Sequence, residues 1–254
     1  MRAGTADLSR PGAAIGAGRF PAIDLAAGED IELENASLVQ ALVEIPNTTV
    51  LDLLPPALGP TNPACMTLTV VSGVTRRGAA LRIGQIRLLS RQGARSRGLL
   101  IASTVTGDDA AIAQLSRHWA FPDTRGEVIV RDGHDRVEAE VKGADHGFRF
   151  SVLRPSAVAP GDCTWITSLH PAVEEGGGPM ALVQVELEYR IDRAARGNVQ
   201  LDSFKAPEWT KGRLRPMGAV QGLHYHAGVR LKPVRFLLDP VTGAGRAVPK
   251  AARA

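Results

Sequence analysis

The sequence predicts a mainly β fold, a β-rich α+β arrangement in which an antiparallel sheet or barrel carries a few short helices. Short apolar or alternating runs recur from Ile31 to Leu238, each bounded by Gly, Pro, Asn or Asp. The run 181–191 sets Val183, Val185, Leu187, Tyr189 and Ile191 against Gln184, Glu186, Glu188 and Arg190, so one of its faces should be dry. Helical patterning, by contrast, is confined to two brief stretches.

Taken in order, residues 1–30 are rich in Gly, Ala and Pro with single charges and no apolar period, and read as a flexible leader. Residues 37–45 hold enough aliphatic side chains for a strand, with a helix still open over so short a run. A brief helix over 48–54 is stopped by Pro55 and Pro56. Strands are expected at 66–71, 79–89 and 98–105. Gly84 interrupts the alternation of the second, which marks a bulge or a close backbone approach. Residues 108–117 then place Asp108 and Asp109 in a first helical turn, where the dipole favours acids, and Ala111, Ile112 and Leu115 on one face. Beyond Pro122 come strands at 128–130, 136–142, 147–153 and 181–191, and the tail after Pro240 is loose. The expected organisation is therefore a leader (1–30), one domain (31–240) and a tail (241–254).

Length and composition exclude several classes. A chain of 254 residues suits one β-rich domain. No stretch approaches the ~18–20 apolar residues of a transmembrane helix, and the first residues lack a signal-type apolar run, so no membrane association and a cytoplasmic location are expected. The net charge of +4 and pI near 9.4 come from scattered arginines with few aromatics. That is not the basic stripe with interleaved stacking residues that nucleic acid requires. Cys65 and Cys163 form neither a disulfide framework nor a zinc spacing and read as buried thiols.

The informative segment is Arg117-His118-Trp119-Ala120-Phe121-Pro122-Asp123-Thr124-Arg125-Gly126, followed by Glu127-Val128-Ile129-Val130. A short helix ends in an aromatic-Pro step and leads into a strand. This resembles the active-site segment of the acetoacetate decarboxylase family. Other landmarks follow the same order: a Leu53-Leu54-Pro55 turn, a strand pair over 65–89, a strand at 99–105, residues 199–204 running to Ala206-Pro207, and a closing segment over 223–238. The resemblance spans about residues 35–240 and implies the family's cone-shaped antiparallel barrel. In that family the first lysine after the proline forms a Schiff base with a β-keto acid and the second lowers its pKa. Here those positions are Asp123 and Thr124, and neither side chain can condense with a ketone. The family's glutamates fall near Leu68 and near Ile83 or Gln85, and its carboxylate-binding arginine near Ala36 or Ser37.

What the resemblance implies is a pocket that has changed chemistry. Asp123, partly desolvated, is the candidate general acid or base. His118 is the candidate proton shuttle, and Arg125 or Arg117 the candidate carboxylate binder. Trp119, Phe121, Gln85 and Arg82 complete the expected substrate contacts, and Trp165 is a further aromatic for an apolar wall. The structural alternative is a helix-to-strand turn whose Asp123 and Thr124 satisfy backbone donors. Lys142, Lys205 and Lys232 read as solvated. His224 and His226 share one face of a strand, but no sequence-local third ligand joins them, and His170 has no evident partner. Neither a metal nor a cofactor is expected. The reading is a lyase-like enzyme acting on a small keto, enol or unsaturated carboxylate by lysine-independent acid/base chemistry; the alternative is a non-catalytic small-molecule binder on the same barrel. Either would self-associate through its sheet edges as a homo-oligomer.

Overall fold

The computed structural model describes residues 20–25, 30–122, 124–163, 166–175 and 179–248. In chain order the first half contains β1 (Ala22–Ile23), β2 (Ile31–Glu44), α1 (Asn47–Leu53), β3 (Gly59–Pro60), β4 (Cys65–Thr75), β5 (Ala80–Gln92), β6 (Arg95–Gly107) and α2 (Asp109–Trp119). The second half contains β7 (Gly126–Asp132), β8 (Arg136–Gly143), β9 (Gly147–Val158), β10 (Thr167–Glu174), β11 (Met180–Val185), β12 (Leu187–Lys205), β13 (Gly218–Leu231), β14 (Phe236–Leu238) and β15 (Gly245–Ala247).

These strands form one mostly antiparallel sheet ordered β15-β14-β11-β10-β6-β5-β4-β2-β13-β12-β9-β8-β7, with β1 added to β10 and β3 to β5. The parallel pairs are β1 with β10 and β10 with β6, and the sheet does not close into a ring. It curls over itself instead. β2, β4, β5 and β6 are apolar on both faces, and each face acquires its own cover. On one side Val128, Val141, Phe148, Phe150 and Val152 of the β7–β9 meander pack on Val39, Met66, Leu68, Ile86 and Leu88. On the other, Ile112, Leu115 and Trp119 of α2, with Val183, Tyr225 and Val229, pack on Leu33, Leu38, Leu81, Ile83 and Val105.

Three expectations are corrected. Residues 181–191 are not one strand: the chain breaks at Glu186, because β11 pairs with β10 and β14 whereas β12 pairs with β13 and β9. The outer segments are not wholly loose, since Ile23 is buried in β1 and β15 pairs with β14. Both cysteines are free thiols, but only Cys65 is buried; Cys163 is half-buried beyond the end of β9. The choice left open over residues 37–45 falls to a strand, β2, which runs through Glu44. Residues 1–19 of the expected leader lie outside the described residues. Among the described residues no helix is long and apolar enough to cross a membrane.

Gly84 marks a close approach: a Cβ there would sit 2.3 Å from Cγ2 of Val141, where the meander folds onto β5. Gly84→Ala is therefore expected to destabilise the fold by about 1–3 kcal/mol through overpacking. Chemical denaturation should show a lower midpoint, and an unchanged midpoint would mean that the two layers are not in contact at this strand.

Candidate functional site

Helix α2 delivers the turn around which the cavities are arranged. The Asp108 carboxylate accepts from the Ala111 N–H at 3.0 Å and caps the helix. Ile112, Leu115 and Trp119, at helical spacing, seal its inner face, and the Trp119 indole N–H donates to the Lys232 carbonyl at 2.7 Å. Ala120 ends the helix in the left-handed region at φ 55°, which turns the chain sharply. The Phe121 N–H then reaches the Leu115 carbonyl (3.2 Å), and the Val105 N–H donates to the Thr124 carbonyl (2.9 Å), pinning the turn to β6.

Phe121 points inward. Its ring meets His170 edge-on, with centroids 4.6 Å apart. His170 is buried in β10, its ring nitrogens 2.7 Å from the Trp119 carbonyl and 2.9 Å from Ser168 Oγ. Burial pushes its pKa down to about 3, so the imidazole is neutral at physiological pH.

Beside Phe121 lies a cavity of about 20 Å³ whose polar side is made by Gln40, Thr69, Gln85, Arg87 and Tyr189. A second space of about 40 Å³ shares Gln40, Arg87 and Tyr189 with it. Arg87 is the unusual member. Its guanidinium is buried, Nη2 donates to Thr69 Oγ1 at 3.2 Å, and Nε has no hydrogen-bond partner. Among the described residues it forms no ion pair with a carboxylate. Burial lowers its pKa from the usual arginine range, yet a guanidinium stays charged at any working pH. Burial also pushes the neighbouring Tyr189 phenol up to about 12, with Arg87 opposing the shift. The result is a fixed positive charge facing a small cavity, with its Nε donor uncommitted.

The opposite side of the turn borders a cleft of about 330 Å³, lined by Ser103, Pro122, Thr124, Asp145, His146 and Trp209 among others. It lies where, among the described residues, β6 pairs with β10 only at residues 97–99 and next meets the chain on that edge at Val105. His146 is buried there, with Nδ1 2.6 Å from Asp145 Oδ1 and Nε2 2.9 Å from Thr104 Oγ1. A Cβ at Gly126 or Gly143 would come within 2.7 Å of Thr104, so that hydroxyl is enclosed and the Asp-His-Thr line braces β6 to the meander. Ser103 in the cleft lining is the cross-strand partner of Gln85 in the cavity lining.

Of the residues singled out from sequence, Gln85 and Phe121 meet in the Arg87 cavity. Asp123 and Trp165 lie outside the described residues. The others point elsewhere. Helical spacing that turns Trp119 inward turns Arg117 and His118 outward, where Arg117 pairs with Asp24 at 2.6 Å and His118 Nδ1 lies 3.3 Å from the Asp24 carbonyl. Arg125 is exposed and pairs with Asp109 at 2.5 Å, Trp119 is core, and Arg82 faces solvent on β5. Sequence reasoning missed Arg87, although one signal was present: with Leu81, Ile83 and Gln85 it occupies the inward face of β5, and a charge at such a position is rare. For His146 the sequence carried no signal.

No protein-family model and no curated protein matches the chain. Solved structures do. Acetoacetate decarboxylase from Legionella pneumophila subsp. pneumophila str. Philadelphia 1 superposes with a TM-score of 0.66 at 14% identity, covering 85% of this chain and 88% of that one. The enduracididine biosynthesis enzyme MppR complexed with pyruvate gives 0.63 at 14% identity, over 87% and 90% of the two chains. An acetoacetate decarboxylase-like enzyme from Sphingomonas wittichii RW1 gives 0.60 at 14%, over 84% and 93%. The chain has the acetoacetate decarboxylase-like fold. Within that fold, none of the four described lysines lines the cavity or the cleft. Lys142 pairs with Glu127, Lys232 with Glu188, Lys205 donates to the Ala144 carbonyl, and Lys211 is exposed.

An uncompensated buried charge destabilises its surroundings. Arg87→Met is therefore expected to leave the thermal midpoint unchanged or raise it, whereas removing one member of a satisfied buried pair would lower stability by about 3–5 kcal/mol. Thermal denaturation of the ligand-free protein separates the two.

Proposed function

We propose that the chain is an enzyme that holds a small keto, enol or unsaturated carboxylate on Arg87 and moves a proton on it without a Schiff base. The observation that carries this reading is the buried guanidinium with an uncommitted Nε and no described carboxylate partner. A substrate carboxylate supplies the missing charge and bonds in the geometry a guanidinium favours, one oxygen on Nε and one on an Nη. Leu187 and Tyr189, both half-buried at the start of β12, form the wall that gives way as the acid enters, since the cavity itself has room for little more than a water. That a protein of the same fold, MppR, was solved with pyruvate supports a keto acid as the ligand class.

The described polar groups of the cavity are a guanidinium, two amides, a threonine hydroxyl and two phenols, none of which titrates near neutrality. Proton transfer is therefore assigned to Asp123, which in sequence lies between the cleft-lining Pro122 and Thr124 and two residues after the cavity-lining Phe121. The reaction class that fits is dehydration, isomerisation, cyclisation or decarboxylation of an enolisable acid. The same lining favours one second reading, a binder without turnover. The remaining parts of the proposal are a single domain over residues 31–240, a cytoplasmic location, and homo-oligomers formed through the β7 or β15 edge.

Asp123→Asn separates the readings. An enzyme should lose about 10²–10⁴-fold in turnover, the usual worth of a positioned acid or base, with affinity for pyruvate nearly unchanged. A pure binder has no turnover to lose. Borohydride reduction in the presence of pyruvate should leave the protein mass unchanged, and an adduct on any lysine would overturn the Schiff-base-free mechanism. Arg87→Met should abolish pyruvate binding measured by calorimetry.

A further inference from the structure

A separate cluster lies on the opposite face of the sheet from the Arg87 cavity. His224 and His226 alternate along β13 and present both rings to the same side, with centroids 4.6 Å apart. The third member comes from far away in sequence. Asp132, the last residue of β7, places Oδ2 3.5 Å from His226 Nε2 and 3.9 Å from His224 Nε2. β7 and β13 are not neighbours in the sheet, being separated by β12, β9 and β8, so the curl of the sheet makes this meeting.

The spacing is informative. These contacts are too long for good hydrogen bonds. An ion with bonds of about 2.0–2.1 Å keeps tetrahedral ligand atoms about 3.3 Å apart, and the two separations from Asp132 Oδ2, 3.5 and 3.9 Å, lie a little above that. All three ligand atoms lie within 4.8 Å of one another. His224 is buried while the Asp132 side chain is 45% exposed, so the site has a dry floor and a side open to water. Burial, opposed by the Asp132 carboxylate, lowers the pKa of both imidazoles. Ser37 Oγ, 3.0 Å from His224 Nε2, is a further polar atom at the floor.

We propose that Asp132, His224 and His226 bind one divalent first-row transition ion of the zinc class, leaving the remaining position to water. Two imidazoles and one carboxylate with an open side are a donor set such ions accept. The ion would tie the end of the meander to the middle of the sheet. Two groups now hold the ligand nitrogens: Ser37 Oγ at His224 Nε2, whose hydroxyl must turn aside, and the exposed Arg193, at the bulge of β12, which places Nη2 2.9 Å from His226 Nε2. The guanidinium must swing outward when the ion enters. Asp192, next to it, adds negative charge near His226.

The test is titration of the full-length, chelator-stripped protein with Co(II), read by its visible ligand-field bands, followed by competition with Zn(II). One Co(II) per chain should bind and be displaced by Zn(II), with a rise in thermal midpoint. Asp132→Asn, a change at the exposed end of β7, should weaken binding more than about tenfold, the least that losing even a residue that only orients a ligand costs. His224→Gln should do the same, and Arg193→Ala should tighten binding. The exposed His134→Ala should change nothing. Absence of bands, or binding that survives Asp132→Asn, or binding lost only in His134→Ala, would overturn the proposal. Should His224→Gln fail to fold, the Asp132→Asn and Arg193→Ala results decide alone, because their expected shifts have opposite signs.

Discussion

The architecture depends on four strands that are apolar on both faces. A sheet in which Val39 and Leu38, or Leu68 and Thr69, point in opposite directions and are all buried cannot leave either surface to water. The β7–β9 meander covers one surface; α2, β11 and parts of β12 and β13 cover the other. Apolar burial at roughly 25 cal/mol per Å² drives both contacts, and the curl of the sheet is the geometry that satisfies them together. Gly84 shows how tight the result is, since the layers meet where even a methyl group has no room.

That double burial also explains why the polar groups inside have consequences. A guanidinium on a one-faced sheet would find solvent. On β5, Arg87 points into the space between β2, β4, β12 and the Phe121 turn, where a threonine is its described hydrogen-bond partner. The low polarity that makes its solitary charge unfavourable would strengthen its attraction for an incoming carboxylate. His170, two strands away, illustrates the opposite outcome: its two ring nitrogens are satisfied by the backbone and Ser168, and burial keeps it neutral.

The helix-to-strand turn was legible because its signals are local. An acidic cap, an apolar helical stripe and an aromatic-Pro step need no distant contact to be read, and α2 begins and ends within a residue or two of the expected bounds. Side-chain direction at the turn was legible only up to the end of the helix. Helical spacing alone turns Arg117 and His118 away from Phe121, but the left-handed Ala120 that aims Phe121 inward has no marker, as it is neither glycine nor asparagine. The break at Glu186 was equally silent, because an alternating run does not reveal that its halves pair at different places in the sheet.

The sequence by itself determined the fold class, the strand pair over residues 65–89, and the replacement of both lysine positions by Asp123 and Thr124. Those follow from residue identity and short-range periodicity, which are properties of the chain before it folds. Tertiary structure alone decided that Arg87 faces a cavity without a described counter-charge and that Asp132 arrives beside His224 and His226. Both depend on contacts between segments distant in sequence, made only once the two-faced sheet curls over to bury itself.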